Sequence, residues 1–238
     1  MDGILIVDKP QGMTSHAVVD FIRRRFKIKK AGHAGTLDPL ATGVLVMLIG
    51  KATKVSSVLM NKDKEYEVVM SLGKRTDTGD ADGKVIYENP EIAHITREML
   101  EASMTKFTGE ISQIPPMMSA IKHKGKKLYE LARKGIEIER APRLINIKEL
   151  TLIDFKLPDV KLRVKCSKGT YIRVLCDDIG LDLGCGAYVS QIRRVASGDF
   201  SINKSITLDK LDVITRAELG LLLINENYYR FAAVGQKK

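Results

Sequence analysis

A loop of twelve residues, followed at once by an apolar run, constrains this chain of 238 residues more than any other stretch. Residues 32–43 read GHAGTLDPLATG and residues 44–49 read VLVMLI. Glycine and proline interrupt helices, so the first segment cannot be helical throughout, and the apolar run is typical of a buried strand. Asp38 therefore stands on a tight loop beside a buried strand, where a reacting group can be held. The alternative is a structural loop whose aspartate caps a turn, and these residues alone leave both interpretations open.

The charge balance of the chain indicates a polyanionic partner. Lysine and arginine total 39 against 29 acidic residues, which gives a net charge of +10. Basic residues are grouped at 23–30, 122–127 and 193–194. The first group is the densest and leads directly into the loop, which favours phosphate contacts over a solvated helix end. An excess of this size points most simply to nucleic acid.

Several other classes of site are disfavoured by residue spacing. Cys166, Cys176 and Cys185 are odd in number and form no Cys-x-x-Cys pair, so neither a disulfide framework nor a zinc site is indicated and a reducing cytoplasm is expected. No apolar run approaches the ~18 residues of a membrane span, and no signal peptide is indicated. Residues 75–83 are rich in aspartate, but a calcium loop there would have threonine and asparagine where acids are required.

The order of predicted elements indicates an α+β fold. Several predicted strands follow one another without a helix between them, which favours a largely antiparallel mixed sheet flanked by helices and loops. We expect strands at residues 4–7, 44–49, 64–73, 113–121, 145–155, 160–166 and 187–195, with a polar hairpin loop at 75–83. We expect helices at residues 15–26, 51–60, 96–107, 128–134, 171–183 and 217–224. On the third of these helices, Met99, Leu100, Met104 and Phe107 predict the apolar face.

Seven segments of the chain together resemble the TruB-type tRNA pseudouridine synthases. They are residues 8–12, 32–43, 75–83, 113–120, 125–135, 167–173 and 184–187, in the order of the family. The resemblance extends from about residue 4 to 212. It implies the pseudouridine synthase fold, with a catalytic cleft across the sheet, and isomerisation of one uridine in the T-arm loop of tRNA without cofactor or metal. It also implies a cytoplasmic monomer whose partner is the tRNA T-arm stem-loop, with no membrane and no protein partner.

The resemblance assigns roles to single residues. Asp38 matches the catalytic carboxylate, which attacks the sugar or the base or removes the C2′ proton. Arg173 matches the cation that keeps this carboxylate ionised and aimed. Tyr66 matches the tyrosine that stacks on the flipped uracil and relays the C5 proton. The positions implied to contact the substrate are His33 in the RNA cleft, Tyr66, Asp80 beside the site, Tyr171 at the substrate and Ile192 in the uracil pocket. Taken singly, Tyr66 and Ile192 would be interpreted as core residues and Arg173 as a surface residue.

A catalytic domain is expected over residues 1–212, followed by a short tail at 213–238. Family members usually carry a C-terminal RNA-binding module of the PUA type, and the tail of 26 residues is about half of the ~50 that a small domain needs. The chain is therefore expected to be either a short natural form or a truncated member of the family, in both cases without a full PUA-type module.

Two other functions compete with a tRNA pseudouridine synthase. An RNA-binding protein on the same scaffold would lack activity, and an enzyme acting on a free nucleotide would need no extended surface. Asp38, Tyr66 and Arg173 together favour the enzyme, because binding alone needs no paired carboxylate. The spread of the basic groups favours a long polyanion over a free nucleotide.

Overall fold

The computed structural model describes residues 1–225, 227 and 229, and its contacts divide the chain into two compact units. Unit 1 consists of Met1–Glu67 and Ile192–Lys238, and unit 2 of Val68–Gln191. The strands include a ten-stranded mixed sheet and two two-stranded ribbons. The prediction of an α+β fold with a mixed sheet is confirmed.

The secondary structure consists of short helices and of strands of very different lengths. The strands are β1 (Gly3–Lys9), β2 (Ala31–His33), β3 (Thr42–Ile49), β4 (Lys64–Leu72), β5 (Lys74–Thr76), β6 (Val85–Glu88), β7 (Gly109–Gln113), β8 (Lys122–His123), β9 (Lys126–Lys127), β10 (Arg143–Lys156), β11 (Asp159–Cys166), β12 (Ala187–Ser197), β13 (Phe200–Ser201) and β14 (Ile206–Thr207). The helices are α1 (Ser15–Arg25), α2 (Ser56–Met60), α3 (Arg97–Lys106), α4 (Leu128–Ala132), α5 (Ile172–Asp182), α6 (Leu208–Val213) and α7 (Arg216–Leu222), with 3₁₀ turns at Gly50–Val55 and Ile202–Lys204. In the described part of the chain, no helix is both long and apolar enough to cross a membrane.

In unit 1, β3 is the central strand. It pairs with β1 and β2 in antiparallel fashion and with β12 in parallel at Arg193 and Arg194, while β14 runs parallel to β1. All of β3 after Thr42 is buried, as its apolar sequence predicts. Helix α1 begins where the Thr14 hydroxyl accepts the Ala17 N–H, and it buries Val18 and Ile22. The loop that carries Asp38 thus opens onto a fully buried strand.

In unit 2, β10 lies between β7 and β11, and both pairings are antiparallel. Strand β11 buries every second residue, which is why its alternating sequence predicted a strand. Helix α3 packs against α5 and β10. This packing supports α5, the helix that carries Arg173.

Two predictions for unit 2 were wrong. Residues 117–121 form neither strand nor helix. Pro115 and Pro116 have no N–H to donate to a neighbouring strand. The carbonyls of Ser119 and Ile121 instead accept the first N–H groups of α4. Met99 is 41% exposed, since the buried side of α3 runs through Leu100, Ser103 and Met104. The boundary at residue 212 between a catalytic domain and a tail stays a prediction. Beyond this residue, α7 spans residues 216–222, where a helix at 217–224 was expected.

Candidate active site

Neighbouring segments of unit 1 hold the backbone on both sides of Asp38. The Ser15 hydroxyl donates to the Leu37 carbonyl at 3.0 Å and accepts the Leu37 N–H at 2.8 Å. The Gly12 N–H donates to the Pro39 carbonyl at 2.8 Å. Asp38 itself is half-buried. The loop is therefore fixed by hydrogen bonds from outside it, while the carboxylate stays accessible to a ligand.

Lys9 is a buried cation below this loop. Its residue is 0% exposed, and its ammonium donates to the carbonyls of Pro10 at 2.9 Å, Met13 at 2.6 Å and Pro39 at 3.3 Å. Burial lowers the pKa of Lys9 to about 8, although the nearby Asp38 carboxylate raises it. The sequence indicated only a turn at residues 8–12, and a lysine at the end of an apolar strand is the one signal that could have identified this role.

The basic pair in β12 corrects the third predicted RNA-binding group. Consecutive strand residues point to opposite faces, so Arg193 and Arg194 cannot both face RNA. Arg194 is 1% exposed and donates to main-chain carbonyls of unit 1. Arg193 donates to both carboxylate oxygens of Asp8, at 3.1 and 2.7 Å. The first basic group is also smaller than its sequence suggests, because Arg25 bonds the carbonyls of Asp212 and Ile214.

Three further predicted site residues lie in unit 1. Tyr66 is 9% exposed in β4, and the half-buried Ile192 begins the part of β12 that belongs to this unit. The Ile192 carbonyl accepts from the Thr42 hydroxyl at 3.5 Å. His33 ends β2, and burial lowers its pKa, with further lowering by Arg194 and His16. Its Nδ1 atom is buried and has no hydrogen-bond partner among the described residues. His33 is thus neutral near pH 7.

In unit 2, Arg173 and Asp80 form a buried ion pair. The Arg173 Nε and Asp80 Oδ2 atoms are 3.5 Å apart, and the two side chains are 6% and 7% exposed. The guanidinium also donates to the carbonyls of Thr78 and Met118. The other Asp80 oxygen accepts the Thr78 hydroxyl at 2.6 Å and the Asp82 N–H at 3.2 Å. Asp80, which the resemblance placed beside the site without a defined role, is therefore a partner of Arg173.

Gln113 holds the backbone that leads into α5. Its side-chain carbonyl accepts the Tyr171 N–H at 2.8 Å, and its amide donates to the Tyr171 carbonyl at 3.1 Å. Tyr171 caps α5 two residues before Arg173 and is half-buried. Gln113 lies in one of the seven segments that resemble the family, but a polar residue there gives no sign that it is buried, at 3% exposure.

A cleft of about 680 Å³ in unit 2 is lined by Arg173 together with Thr78, Met118 and Arg75. In its lining, Arg75 makes a two-pronged contact with Asp177, at 2.6 and 2.8 Å. Burial and the neighbouring Asp177 raise the pKa of Asp178 to about 6. Among the residues that the structure describes, no cluster of three or more histidine, cysteine, aspartate or glutamate side chains is placed to hold a metal.

The predicted site residues are thus divided between the units. Asp38, His33, Tyr66 and Ile192 belong to unit 1, whereas Asp80, Tyr171 and Arg173 belong to unit 2.

Comparison with known families gives a match along most of the chain. Residues 23–172 match the family described as TruB family pseudouridylate synthase, N-terminal domain. The chain belongs to the TruB family of pseudouridylate synthases. Residues 173–219 match the tRNA pseudouridylate synthase B C-terminal domain. The resemblance inferred from the seven segments is confirmed.

Curated relatives in the TruB family are similar over most of this chain. The tRNA pseudouridine synthase B of Azoarcus sp. (strain BH72) is 52% identical over 212 residues, which are 89% of this chain and 70% of the relative. That of Syntrophotalea carbinolica (strain DSM 2380 / NBRC 103641 / GraBd1) is 46% identical over 225 residues, 94% of this chain and 73% of the relative.

Solved structures are also similar to this chain. A crystal structure of a Cbf5–Nop10–Gar1 complex matches with a TM-score of 0.70 and 34% identity, over 88% of this chain and 53% of that chain. An H/ACA RNP bound to a substrate RNA containing 2′-deoxyuridine matches with a TM-score of 0.66 and 31% identity, over 88% of this chain and 52% of that chain. This chain spans about half the length of the chains in those complexes.

Proposed function

We propose that this chain converts one uridine in the T-arm loop of tRNA to pseudouridine, and that Asp38 is the nucleophile or base of the reaction. The family match and the curated relatives identify the chain as a tRNA pseudouridine synthase, an isomerase.

The reaction makes limited demands on the protein. The N1–C1′ bond breaks, a C5–C1′ bond forms, C5 loses a proton and N1 gains one, so atoms and electrons balance without an added reactant. The target base in a folded loop must first be extruded and held. The protein must then supply one group that reacts near C1′, C2′ or C6, a second group that accepts the C5 proton, and an apolar pocket for the uracil.

The observation that carries the proposal is the way the Asp38 loop is held. Hydrogen bonds fix the main chain of Leu37 and Pro39, and the buried cation Lys9 lies close enough to Asp38 to be affected by its charge. A rigidly held carboxylate that is still half-exposed suits a nucleophile or base. A merely structural turn aspartate would not need a buried cation near it.

The remaining roles follow the family resemblance and agree with burial. Tyr66 stacks on the uracil and accepts the C5 proton, Ile192 lines the uracil pocket, and the neutral His33 helps displace the target base. Tyr171 contacts the substrate. We propose that Arg173 is the cation that aims Asp38, and that Asp80 fixes the guanidinium through the ion pair within unit 2. The protein acts as a monomer.

The test is to incubate the protein with an unmodified tRNA transcript and to map pseudouridine along it. We expect modification at one uridine of the T-arm loop, and loss of the reaction in Asp38→Asn with tRNA binding retained. The amide keeps the shape of the loop but cannot form an ester-like adduct and is too weakly basic to take a C2′ proton. Asp209→Asn, an equal charge change on the exposed first turn of α6, is the matched control and should leave the rate unchanged.

The outcomes separate the competing functions. Single-turnover release of tritium from C5-labelled uridine in tRNA gives the rate, and filter binding gives the affinity. Residual activity of Asp38→Asn within about tenfold of the parent, a barrier change of only ~1.4 kcal/mol, would refute its catalytic role. Tight binding of tRNA by a parent protein that forms no pseudouridine would favour the RNA-binding function. Activity on uridine monophosphate and none on tRNA would favour the free nucleotide.

A further inference from the structure

Arg194 is a buried cation without a carboxylate partner in the described part of the chain. Its residue is 1% exposed, and its hydrogen bonds go to main-chain carbonyls. Burying a guanidinium without a counter-charge is unfavourable, so a leucine or methionine would serve better at this place if only packing mattered. The arginine therefore requires an explanation beyond the stability of the core.

The hydrogen bonds of Arg194 join the two ends of the loop that carries Asp38. On the side that precedes Asp38, Nη1 donates to the Thr36 carbonyl at 3.3 Å and Nη2 to the Gly35 carbonyl at 3.1 Å. On the side that follows, Nε donates to the Val44 carbonyl at 2.7 Å. Because the guanidinium is planar and rigid, one group sets the separation and the direction of both ends.

Gly43 lets the end of the loop pass close to the main chain of Arg194. A Cβ atom at Gly43, where φ is +99°, would lie 2.2 Å from the Arg194 carbonyl oxygen. A Cβ atom at Gly35, where φ is +108°, would make only an ordinary contact, 3.6 Å from the Arg194 Nη1 atom. Both positive φ values disfavour a side chain. The loop and Arg194 are thus shaped to each other.

We propose that Arg194 is the positioning residue of the Asp38 loop, and that its guanidinium holds both ends of the loop so that the carboxylate stands at the reacting atoms of the target uridine. This inference rests on the proposed function of Asp38. Arg194 is buried and acts through the loop without touching RNA.

The effect of the Arg194 charge on His33 gives an independent check of where the charge lies in each variant. Together with burial, the larger cause, and with His16, it lowers the pKa of His33. Arg194→Met removes the charge and should raise that pKa, whereas Arg194→Lys keeps the charge and should leave the pKa low. A proton NMR titration of the four histidines, with the His33 signal assigned by His33→Gln, measures this difference.

The test compares the single-turnover rate of Arg194→Lys and Arg194→Met in the full chain with that of the parent, on tritium-labelled tRNA. We expect Arg194→Met to lower the rate about 100-fold, the effect of a misplacement of about 1 Å, without weakening tRNA binding. Arg194→Lys should recover part of the rate, because a compact ammonium keeps the charge but lacks the planar, rigid guanidinium that reaches both ends of the loop. If Arg194→Met does not fold, the rate of Arg194→Lys decides.

Leu211→Ala is the stability control. Leu211 is 0% exposed in α6, and its truncation should lower the melting temperature and leave the rate unchanged. Arg194 variants with the parent rate would overturn the inference, as would an equal loss of rate in Leu211→Ala. Weakened tRNA binding at an unchanged rate would show an RNA contact and overturn it too. An inactive parent would refute the proposed function and this inference with it, whereas an active parent with active Arg194 variants would refute this inference alone.

Discussion

Replacement of Asp80 by asparagine should destabilise the protein far more than a surface charge change does. The Asp80 and Arg173 charges are 3.5 Å apart, with side chains 7% and 6% exposed. At an effective dielectric constant of about 20, their attraction is about 5 kcal/mol. The carboxylate also carries a desolvation cost that asparagine avoids, and removal of one partner from a buried pair typically costs about 3–5 kcal/mol. We therefore expect Asp80→Asn to lose about 3 kcal/mol of unfolding free energy.

The local geometry limits what else the substitution changes. The Asp80 oxygen that accepts from the Thr78 hydroxyl and the Asp82 N–H can be replaced by the amide oxygen without loss of either bond. Arg173 keeps the carbonyls of Thr78 and Met118 as acceptors. The main loss is therefore the charge facing Arg173.

Urea unfolding of the parent and the variants measures the effect. Asp77→Asn is the matched control, because Asp77 lies in the same loop, is exposed, and accepts the Lys84 N–H at 2.8 Å through an oxygen that asparagine retains. Its cost should be below about 0.5 kcal/mol. If Asp80→Asn were also within about 0.5 kcal/mol of the parent, the typical effect of a surface substitution, the ion pair would contribute nothing and the reasoning would be wrong.

Three further predictions concern catalysis, RNA binding and pH. Tyr66→Phe should bind tRNA, because stacking contributes about 1–3 kcal/mol per base, but turn over much more slowly; near-parent turnover in the tritium assay would remove the hydroxyl from the mechanism. Neutralising the exposed Arg24 and Lys29 should make the binding constant for tRNA less dependent on salt. The slope of its logarithm against log salt should fall by about 0.7–0.9 for each phosphate that the protein no longer neutralises. An unchanged slope in filter binding would mean that this surface does not face RNA. Because Lys9 has a pKa of about 8 when folded and 10.5 as its ordinary value, the unfolded state binds more protons between these pH values, so stability should rise with pH across that window. Urea unfolding at several pH values should show no such rise in stability for Lys9→Met, and Asp38→Asn should lower the folded pKa of Lys9. If the rise persists in Lys9→Met, another group causes it.

Local patterns in the sequence were sufficient for most helices and for the strands of seven or more residues, but not for the shorter strands. Thr14 and Thr96 cap α1 and α3 where the sequence places helix starts, because a hydroxyl before an apolar periodicity can accept a free N–H. The strands predicted from the alternation in β11 and from the apolar run in β3 were also confirmed. A strand buried on one face has apolar residues at every second position, and a strand buried on both faces has a continuous apolar run. The order of motifs was sufficient for the family.

Prediction from the sequence failed where the conformation of a segment, or the face that it buries, depends on partners far away in the chain. Residues 117–121 are apolar enough for a strand, but their carbonyls accept hydrogen bonds from α4 and Arg173. Met99 has the period of an apolar face, yet the packing of α3 on β10 and α5 leaves it exposed and buries Ser103 together with Leu100 and Met104.

By itself the sequence determined that a carboxylate stands on a glycine-rich loop beside a buried strand, because glycine, proline and an apolar run leave few other backbones. It also determined the excess of positive charge. Only the tertiary structure decided which charges are free and which are used inside. Lys9 and Arg194 are buried against main-chain carbonyls, Arg193 is paired with Asp8, and Arg173 faces Asp80. A lysine or arginine is written with the same letter whether its side chain is solvated or buried. A buried cation is stabilised by partners that lie far away in the chain, and the local sequence does not show them.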